Sequence, residues 1–336
     1  MGVVILSVAL NPSIDKLVMV ERVVPGKIHR PSSVTAVAGG KGFNAARAAK
    51  SLGSDVRAVG IVGGHAGRWV IDAMAQEGIQ VTACWCSAET RASLSVYSVD
   101  EGTLTEFYEP GQPVTVDEWE RFHKAAQDAV CGAGWVTVSG SLPRGVPVSS
   151  VADIIGMCKK SGAAVAVDLR GPVLAAAFSG QPDLVKVNLA EASEALGRPV
   201  PEELFNMRAP ELPVVEGEEP AQESVVEELA ACLREASRAR VAVITCGLNG
   251  AVMCDKRGTW VGSGGRAGGY PVGSGDAFLG AMVSELESSG DWVEAFRLGL
   301  GAGVANAAIP GAGRFDPEEA RAMARSASIR TKKVRR

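Results

Sequence analysis

The stretch GYPVGSGDAFLGAMV, Gly269 to Val283, places small residues and a single acid directly before an apolar helix. Gly273, Ser274 and Gly275 mark the predicted start of that helix, where backbone N–H groups have no partner within the helix and attract an anion. Glycine also lets a phosphate approach the chain without meeting a Cβ. The stretch therefore predicts an anion cradle at the N-terminus of a buried helix.

Asp276 lies in the first turn of the same predicted helix. A carboxylate beside an anion adds nothing favourable to simple binding. It is useful if it takes a proton from a hydroxyl while the N–H groups stabilise a phosphoryl group in transfer. The alternative is that Asp276 only caps the helix, as Asp often does. The stretch alone favours neither interpretation.

A second glycine loop, AVAGGKGFNAARAAKSLG from Ala36 to Gly53, also opens a predicted helix. Gly39 and Gly40 precede Lys41, which offers a positive charge, and Asn44, which offers both a donor and an acceptor. This combination suits a polyol or a phosphorylated polyol. Taken alone, however, the loop is better explained by a tight strand-to-helix turn whose lysine faces water.

Apolar, β-branched runs alternate with helical patterns along most of the chain. Predicted buried strands lie at 3–10, 56–62, 135–139, 163–168, 184–187 and 241–246. Predicted helices lie at 41–52, 68–76, 117–129, 148–160, 223–238, 276–288 and 293–307. Continuous apolar strands separated by amphipathic helices predict an α/β fold with a doubly wound, mostly parallel sheet.

Two segments, at about 14–37 and 91–109, break this alternation. Both alternate apolar with polar residues around a turn, PGK in the first and DEG in the second. Such patterns are typical of hairpins and predict a small β lid inserted into one domain that spans 1–328. Because the edges of a small sheet are exposed, the lid also favours pairing with a second copy in a homodimer.

Composition excludes several classes of protein. A net charge of −4 over 336 residues argues against nucleic-acid binding. Seven cysteines without a CxxC pair indicate reduced thiols and a cytoplasmic protein, and three separated histidines do not favour a zinc site. No apolar run is long enough for a membrane span. We expect the acidic stretch 206–224 to be a surface loop and the basic tail 329–336 to be disordered.

Two familiar nucleotide motifs are missing. The chain contains no GxxxxGK[ST] sequence, which excludes a P-loop. The first strand runs into NPSID, so the GxGxxG fingerprint of dinucleotide-binding folds is absent from its expected place. An anion site in this chain must therefore be built differently.

At this point the motifs resemble those of the PfkB branch of the ribokinase-like sugar kinases, in particular the 1-phosphofructokinase and tagatose-6-phosphate kinase group. The resemblance covers nearly the whole chain in order. It is carried by LNPSID (10–15), GGKGFNAARAAKSLG (39–53), ETR (89–91), EPG (109–111), SGSLPRG (139–145), VDLRG (167–171), VKVNLAEASE (185–194), TCGLNGAV (245–252) and PVGSGDAF (271–278).

The resemblance implies a ribokinase-like fold and roles for residues around the acceptor. Asp276 would be the general base, and Gly273, Ser274 and Gly275 would form the anion hole for the γ-phosphoryl group. The residues implied to bind the sugar phosphate are Asp15, Gly39, Gly40 and Asn44 for the hydroxyls, and Lys41, Arg91, Ser141 and Lys27 for the phosphate.

The resemblance also implies ATP and Mg²⁺ as cofactors. Asn188 and Glu191 match an NxxE element that organises Mg²⁺, mainly through water. Lys186, Thr245 and Gly247 would line the nucleotide site, with Asn306 near the adenine.

Each of these residues has a plainer interpretation when it is considered singly. Asp15 could support a turn, Arg91 could be an ordinary lid charge, Glu191 could favour a helix start, and Asn306 could be a polar helix residue. The ordered set favours function.

The chain departs from the family pattern in several places. Tyr108 stands where Asn is usual, Leu169 and Arg170 where small hydroxyl residues are frequent, and Ala277 where Ser or Thr is usual. These departures bear on which sugar is used and leave the kinase chemistry in place.

The predicted function is an ATP-dependent kinase that converts a ketohexose monophosphate, of the fructose 1-phosphate or tagatose 6-phosphate type, to the bisphosphate. Two alternatives remain: a kinase for a free sugar or a nucleoside, and a non-catalytic sensor of sugar phosphates. A dinucleotide oxidoreductase is disfavoured by the missing fingerprint.

Overall fold

A ten-stranded sheet forms the centre of the computed structural model, which describes residues 4–201, 204, 221–265 and 268–333. Its strands are β1 Val4–Ala9, β4 Val56–Gly63, β5 Gln80–Cys86, β8 Ala133–Ser139, β9 Ala164–Asp168, β10 Leu184–Asn188, β11 Val241–Thr245, β12 Ala251–Asp255, β13 Gly258–Ser263 and β14 Ser328–Lys333. Their spatial order is β14-β13-β12-β11-β10-β9-β8-β1-β4-β5. Strands β5 to β11 in this order pair in parallel, and β12 to β14 extend the sheet antiparallel.

Helices cover both faces of the sheet, as the predicted doubly wound α/β class requires. They are α1 Lys41–Ser51, α2 Gly64–Gln76, α3 Val116–Ala129, α4 Ser150–Lys160, α5 Gly171–Ala177, α6 Leu189–Leu196, α7 Ala221–Ser237, α8 Ser274–Ser288, α9 Trp292–Ala308 and α10 Pro317–Ser326. The parallel order and the two helical layers confirm the predicted fold class.

The core has two main parts because each central strand is apolar on both sides. Leu6 and Val8 of β1 pack with Phe122 of α3 and with residues of α4 to α7 on one face. Ile5 of the same strand packs with Phe278 of α8 and with residues of α1, α2 and α9 on the other. The continuous apolar runs that predicted these strands are thus explained by burial on two faces.

A second sheet of four strands lies over the carboxyl ends of the central sheet, where the lid was predicted. Its strands are β2 Ser13–Val20, β3 Ser33–Gly39, β6 Arg91–Ser98 and β7 Thr103–Tyr108, in the order β3-β2-β6-β7. The register places Asp15, Ser93 and Tyr108 side by side on one face, the inner face. Tyr97 of this sheet packs against Tyr270, with ring centroids 5.5 Å apart.

The end of the chain differs from the prediction. Residues 329–333, which were expected to be a disordered tail, belong to β14 and pair with β13 from Ser328↔Ser263 to Lys333↔Gly258. The prediction is wrong here because the alternating side chains of SIRTKK complete an otherwise open sheet edge. Residues 206–220 of the expected acidic loop and residues 334–336 lie outside the described residues, while 221–224 begin α7.

Gly280 fixes how closely α8 approaches α1. A Cβ at this position would lie 2.3 Å from the Ala45 carbonyl oxygen and 2.7 Å from the Ala48 Cβ. The two helices that carry Asn44 and Asp276 therefore touch through backbone, and glycine is required for that contact.

We expect Gly280→Ala to destabilise the protein by about 1–3 kcal/mol, because the added methyl group overpacks the α1–α8 contact. The matched control is Gly156→Ala in α4, where a Cβ would meet nothing within 4 Å. That substitution should be neutral or stabilising by about 0.5–1 kcal/mol. Thermal and urea unfolding of both variants would check the pair, and equal stabilities would contradict the close-contact argument.

Candidate active site

The candidate site lies where the parallel strands of the central sheet end and the lid covers them. Asp168 is the last residue of β9, Asn188 of β10 and Thr245 of β11. Because parallel strands end at one edge of a sheet, residues far apart in sequence meet there. The two glycine loops reach the same edge, since each leads into a helix that starts there.

The loop before α8 takes the conformation that its glycines allow. Gly273 is the N-cap residue and is left-handed at φ +81°, and a Cβ there would lie 2.5 Å from the Ala312 Cα. The Ser274 amide donates to the Pro271 carbonyl at 3.1 Å, and the Ala277 amide donates to the Gly273 carbonyl at 2.8 Å. Among the described residues, the amides of Gly275 and Asp276 have no acceptor, so they can receive an anion.

Asp276 does not cap this helix, because its side chain makes no capping hydrogen bond. The residue is 8% exposed, and its Oδ2 accepts a hydrogen bond of 2.9 Å from Asn44 Nδ2. Burial and the neighbouring charge of Asp168 raise its pKa to about 7, although Lys41, Lys186 and the bond from Asn44 act in the opposite direction. A carboxyl group of this kind can accept a proton near neutral pH.

A buried network of two lysines and two acids lies beside Asp276. Asp168 has a fully buried side chain that accepts from Lys41 Nζ at 2.6 Å and from Lys186 Nζ at 2.5 Å. Lys41 Nζ also reaches Glu191 Oε1 at 3.0 Å. Burial opposes the charge on Asp168, but the two ammonium groups hold its pKa below the usual value.

The ammonium group of Lys186 lies next to the glycine loop that precedes α8. A Cβ on Gly275 would be 2.8 Å from Lys186 Nζ, so glycine at this position leaves room for the ammonium group. This places a positive charge beside the free amides of the cradle. Such a charge favours an anion at the same point.

The carboxylate of Asp15 accepts hydrogen bonds from Ser13 and from two residues of the second glycine loop, Gly40 and Asn44. Asp15 accepts from Ser13 Oγ at 2.6 Å, from the Gly40 amide at 3.1 Å and from Asn44 Nδ2 at 3.3 Å. A Cβ on Gly39 would lie 2.1 Å from Asp15 Cγ. The predicted grouping of Asp15, Gly39, Gly40 and Asn44 is therefore a set of direct contacts.

Arg47 determines which way the Asn44 amide points. Its Nη1 donates to Asn44 Oδ1 at 3.0 Å, which leaves the Asn44 NH₂ group to face Asp15 and Asp276. Arg47 is 5% exposed and pairs with Glu77 at 2.7 Å. Burial lowers its pKa, and Glu77 partly restores it.

Three of the residues predicted to bind the acceptor's phosphate, Arg91, Ser141 and Lys27, lie in three different parts of the chain. Arg91 opens β6, with Nη1 3.0 Å from Ser93 Oγ and Nη2 3.4 Å from the Asn11 carbonyl oxygen. Ser141 accepts from Asn11 Nδ2 at 2.9 Å and lines a cleft of about 510 Å³. Lys27 is exposed in the loop between β2 and β3.

The predicted nucleotide residues lie at the ends of β10 and β11 and in the helices α6 and α9. Asn188 and Glu191 form a reciprocal capping box at the start of α6, with bonds of 2.8 and 2.9 Å. Thr245 ends β11, and Gly247 follows it at φ +58°. Asn306 is fully buried and donates to the Val272 carbonyl at 2.9 Å, so it supports the α8 loop.

Sequence reasoning missed two residues of the site, Asp168 and Arg47. Asp168 lies within the quoted motif VDLRG and is an acid at the end of an apolar strand, which is a recognisable signal. Arg47 gave no comparable signal, because an arginine on a helix is usually exposed.

Comparisons with known proteins identify a family and similar structures. A sequence profile described as pfkB family carbohydrate kinase matches residues 8–319. Phosphofructokinase-2 from Escherichia coli, in its tetrameric inhibited form, is similar with a TM-score of 0.81 and 25% identity, over 97% of this chain and 99% of that chain. A Thermotoga maritima protein described as a possible 1-phosphofructokinase gives a TM-score of 0.82 at 22% identity, over 98% and 100% of the two chains.

A more distant structure has the same fold. Arabidopsis thaliana ribokinase, complexed with ribose and ATP, gives a TM-score of 0.66 at 18% identity, over 96% of this chain and 99% of that chain. The predicted ribokinase-like fold and family resemblance are confirmed. Within the described residues, no helix is both long and apolar enough to cross a membrane.

We expect Asp168→Asn to lower the free energy of unfolding by about 3–5 kcal/mol, because it leaves Lys186 buried without a counter-charge. Combining Asp168→Asn with Lys186→Met should recover part of this loss. Unfolding by urea would measure both variants.

The control for this pair is Glu228→Gln, which removes the exposed ion pair with Arg198 and should cost about 0–1 kcal/mol. A loss for Asp168→Asn as small as this control would contradict the description of a buried, mutually dependent network.

Proposed function

The chain belongs to the pfkB family of carbohydrate kinases, and we propose that it transfers the γ-phosphoryl group of ATP to a hydroxyl of a ketohexose monophosphate. The products would be ADP and a sugar bisphosphate. The observation that carries the proposal is buried Asp276, whose pKa is raised to about 7, beside two amides that have no acceptor among the described residues. Neighbours named as phosphofructokinases support a phosphosugar as the acceptor.

The proposed step needs one base and one anion site. Asp276 would accept the proton of the acceptor hydroxyl as its oxygen forms a bond to the γ-phosphorus and the bond to the β-phosphate oxygen breaks. The amides of Gly275 and Asp276, with Lys186 below them, would stabilise the negative charge on the phosphoryl group. Asp15 would orient the sugar by accepting from its hydroxyls, since one carboxylate has several acceptor positions.

The residues near Glu191 fit Mg²⁺ that is bound mainly through water. Among the described residues, no cluster of three or more His, Cys, Asp or Glu side chains could hold a metal ion directly. Both oxygens of Glu191 are occupied, one by Lys41 and one by the Asn188 amide. Carboxylate oxygens accept further bonds from water, and Mg²⁺ usually keeps several waters while binding substrate phosphates. The ion would supply charge compensation on the ATP phosphates.

Three acceptors fit the proposal: fructose 1-phosphate, tagatose 6-phosphate and fructose 6-phosphate. They differ in the placement of single groups. The test is a coupled assay of ADP release across these three compounds, free ketohexoses and nucleosides. Activity on the phosphorylated ketohexoses supports the proposal. Activity only on unphosphorylated acceptors would favour the free-sugar or nucleoside kinase, and phosphosugar binding without turnover would favour a sensor.

We also propose a homodimer through the outer face of the lid. The register places Val18, Val34, Leu94, Val96 and Phe107 together on that face. Val34 is 62% exposed and Phe107 is 59% exposed. A cluster of exposed apolar side chains on a small sheet is stabilised when a second copy covers it.

We expect Asp276→Asn to lower kcat by about 10²–10⁴-fold, since the amide cannot accept the hydroxyl proton. The KM values for both substrates should change little. In the wild-type enzyme, kcat should fall as the pH drops below about 7, because the protonated acid no longer acts as a base. Steady-state kinetics from about pH 5.5 to about pH 8.5, roughly one and a half units on either side of this pKa, would measure both effects.

Stability provides the control for this variant. The raised pKa means that the fold disfavours the ionised acid, so wild-type Asp276 costs stability as the pH rises through about 7. Asp276→Asn should therefore be at least as stable as the wild type at about pH 8. A stable variant with nearly full activity would remove Asp276 from the proposed role.

The dimer predicts that Val34→Glu combined with Phe107→Glu yields a monomer, because two charges would be buried in the contact. Sedimentation velocity of the wild type and the variant would measure this. Val116→Glu, at a residue that is 70% exposed on α3, is the control and should leave the dimer intact. A monomeric wild-type protein would refute the dimer.

A further inference from the structure

A single side-chain amide, that of Asn44, faces both of the carboxylates that the proposed reaction uses. Its Nδ2 donates to Asp276 Oδ2 at 2.9 Å and to Asp15 Oδ2 at 3.3 Å. An NH₂ group has two hydrogens, so each carboxylate can receive one of them. If the amide were turned over, its oxygen would face both acids, and Asp276 would lose the bond that favours its ionised form.

Arg47 excludes the turned-over amide. Its Nη1 lies 3.0 Å from Asn44 Oδ1, and a guanidinium group can only donate, so the atom that faces it must be the amide oxygen. The reversed amide would set donor against donor at Arg47 and oxygen against oxygen at the two acids. The orientation that serves Asp15 and Asp276 is therefore imposed from the opposite side.

The guanidinium of Arg47 is itself held by several elements. Nη1 also donates to the Ala312 carbonyl at 2.9 Å, Nη2 to the Ala38 carbonyl at 2.5 Å, and Nε to Glu77 at 2.7 Å. Glu77 pairs in addition with Arg314 at 3.1 Å. At 5% exposure the arginine cannot turn toward solvent. A side chain fixed by this many bonds can lock the rotamer of its neighbour.

The other charges around Asp276 stay in place when Arg47 is changed. The charged and titratable groups that interact with Asp276 are Asp168 on β9, Lys41 on α1, Lys186 on β10 and Tyr108 on β7. Those that interact with Arg47 are Glu77, Arg314 and Asp15. The bond from Asn44 lowers the pKa of Asp276, so losing that bond raises it.

We propose that Arg47 is a positioning residue of the kinase reaction, which acts through Asn44 to keep a hydrogen-bond donor on the ionised form of the base Asp276. In this role Arg47 contacts neither the acceptor nor the nucleotide. The inference rests on the proposed function, since it concerns the base of that reaction.

The test is the pH dependence of kcat in Arg47→Lys, which keeps a charge for Glu77 but loses the planar fork that reaches several acceptors at once. We expect Asp276 to ionise about one pH unit higher, the value of one hydrogen bond to a charged group. The kcat should be about 5-fold below the wild type at about pH 7 and recover to within about 1.5-fold at about pH 9. A variant damaged only in stability would not recover in this way.

A second variant and a control accompany Arg47→Lys. Arg47→Met is similar in length and should shift the profile in the same direction, while Arg314 still neutralises Glu77. Arg297→Lys is the control, because the partners of this arginine are Glu294 and the Ala327 carbonyl. Its kcat profile should match the wild type, even where thermal unfolding shows a lower Tm.

A double variant tests whether the effect passes through the amide. In an Asn44→Ala background, Arg47→Lys should shift the profile no further, since the group through which it acts is already absent. An additional shift there would overturn the inference. So would an Arg47→Lys or Arg47→Met profile that matches the wild type, or one lowered equally at all pH values.

These outcomes are separate from the test of the function itself. An inactive Asp276→Asn variant combined with unshifted Arg47 variants would keep the proposed function and remove only the positioning role. A wild type that phosphorylates none of the acceptors in the coupled assay would refute the proposed function, and this inference with it.

Discussion

The fully buried carboxylate of Asp168 connects several elements of the site. It binds Lys41 at the start of α1 and Lys186 in the middle of β10, and Lys41 in turn reaches Glu191 on α6. An ion left alone in a nonpolar interior is strongly unfavourable, so these groups can be buried only together. The network therefore joins α1 to β9 and β10, two neighbouring strands of the central sheet.

The different environments of the acids follow from this arrangement. Asp15 receives three hydrogen bonds and lies at the inner face of the lid, which suits it to hold hydroxyl groups. Asp168 is neutralised by two ammonium groups. Asp276 is buried, receives one bond from Asn44 and lies next to the charge of Asp168, and its pKa is raised to about 7. Carboxylates within one site thus have different electrostatic environments.

Much of this arrangement follows from local sequence, and some of it does not. Apolar runs and glycine loops predicted the parallel strands, the lid and the loop before α8, because those patterns depend on neighbouring residues. The partner of Lys41 was not predictable, since Asp168 is 127 positions away and the lysine was expected to face a ligand. The tail was predicted to be disordered because its charges are visible in the sequence, whereas the open edge of β13 is not.

Strand β14 also has a consequence for the behaviour of the protein at high concentration. Among the described residues, it is the last strand on its side of the sheet. It carries Arg330 and Lys332, and Lys332 reaches Glu227 at 3.5 Å. Positively charged side chains on an edge strand disfavour pairing with the edge strand of a second copy, because the like charges of the two strands would repel each other. We therefore expect β14 to disfavour fibrous self-assembly of the molecule.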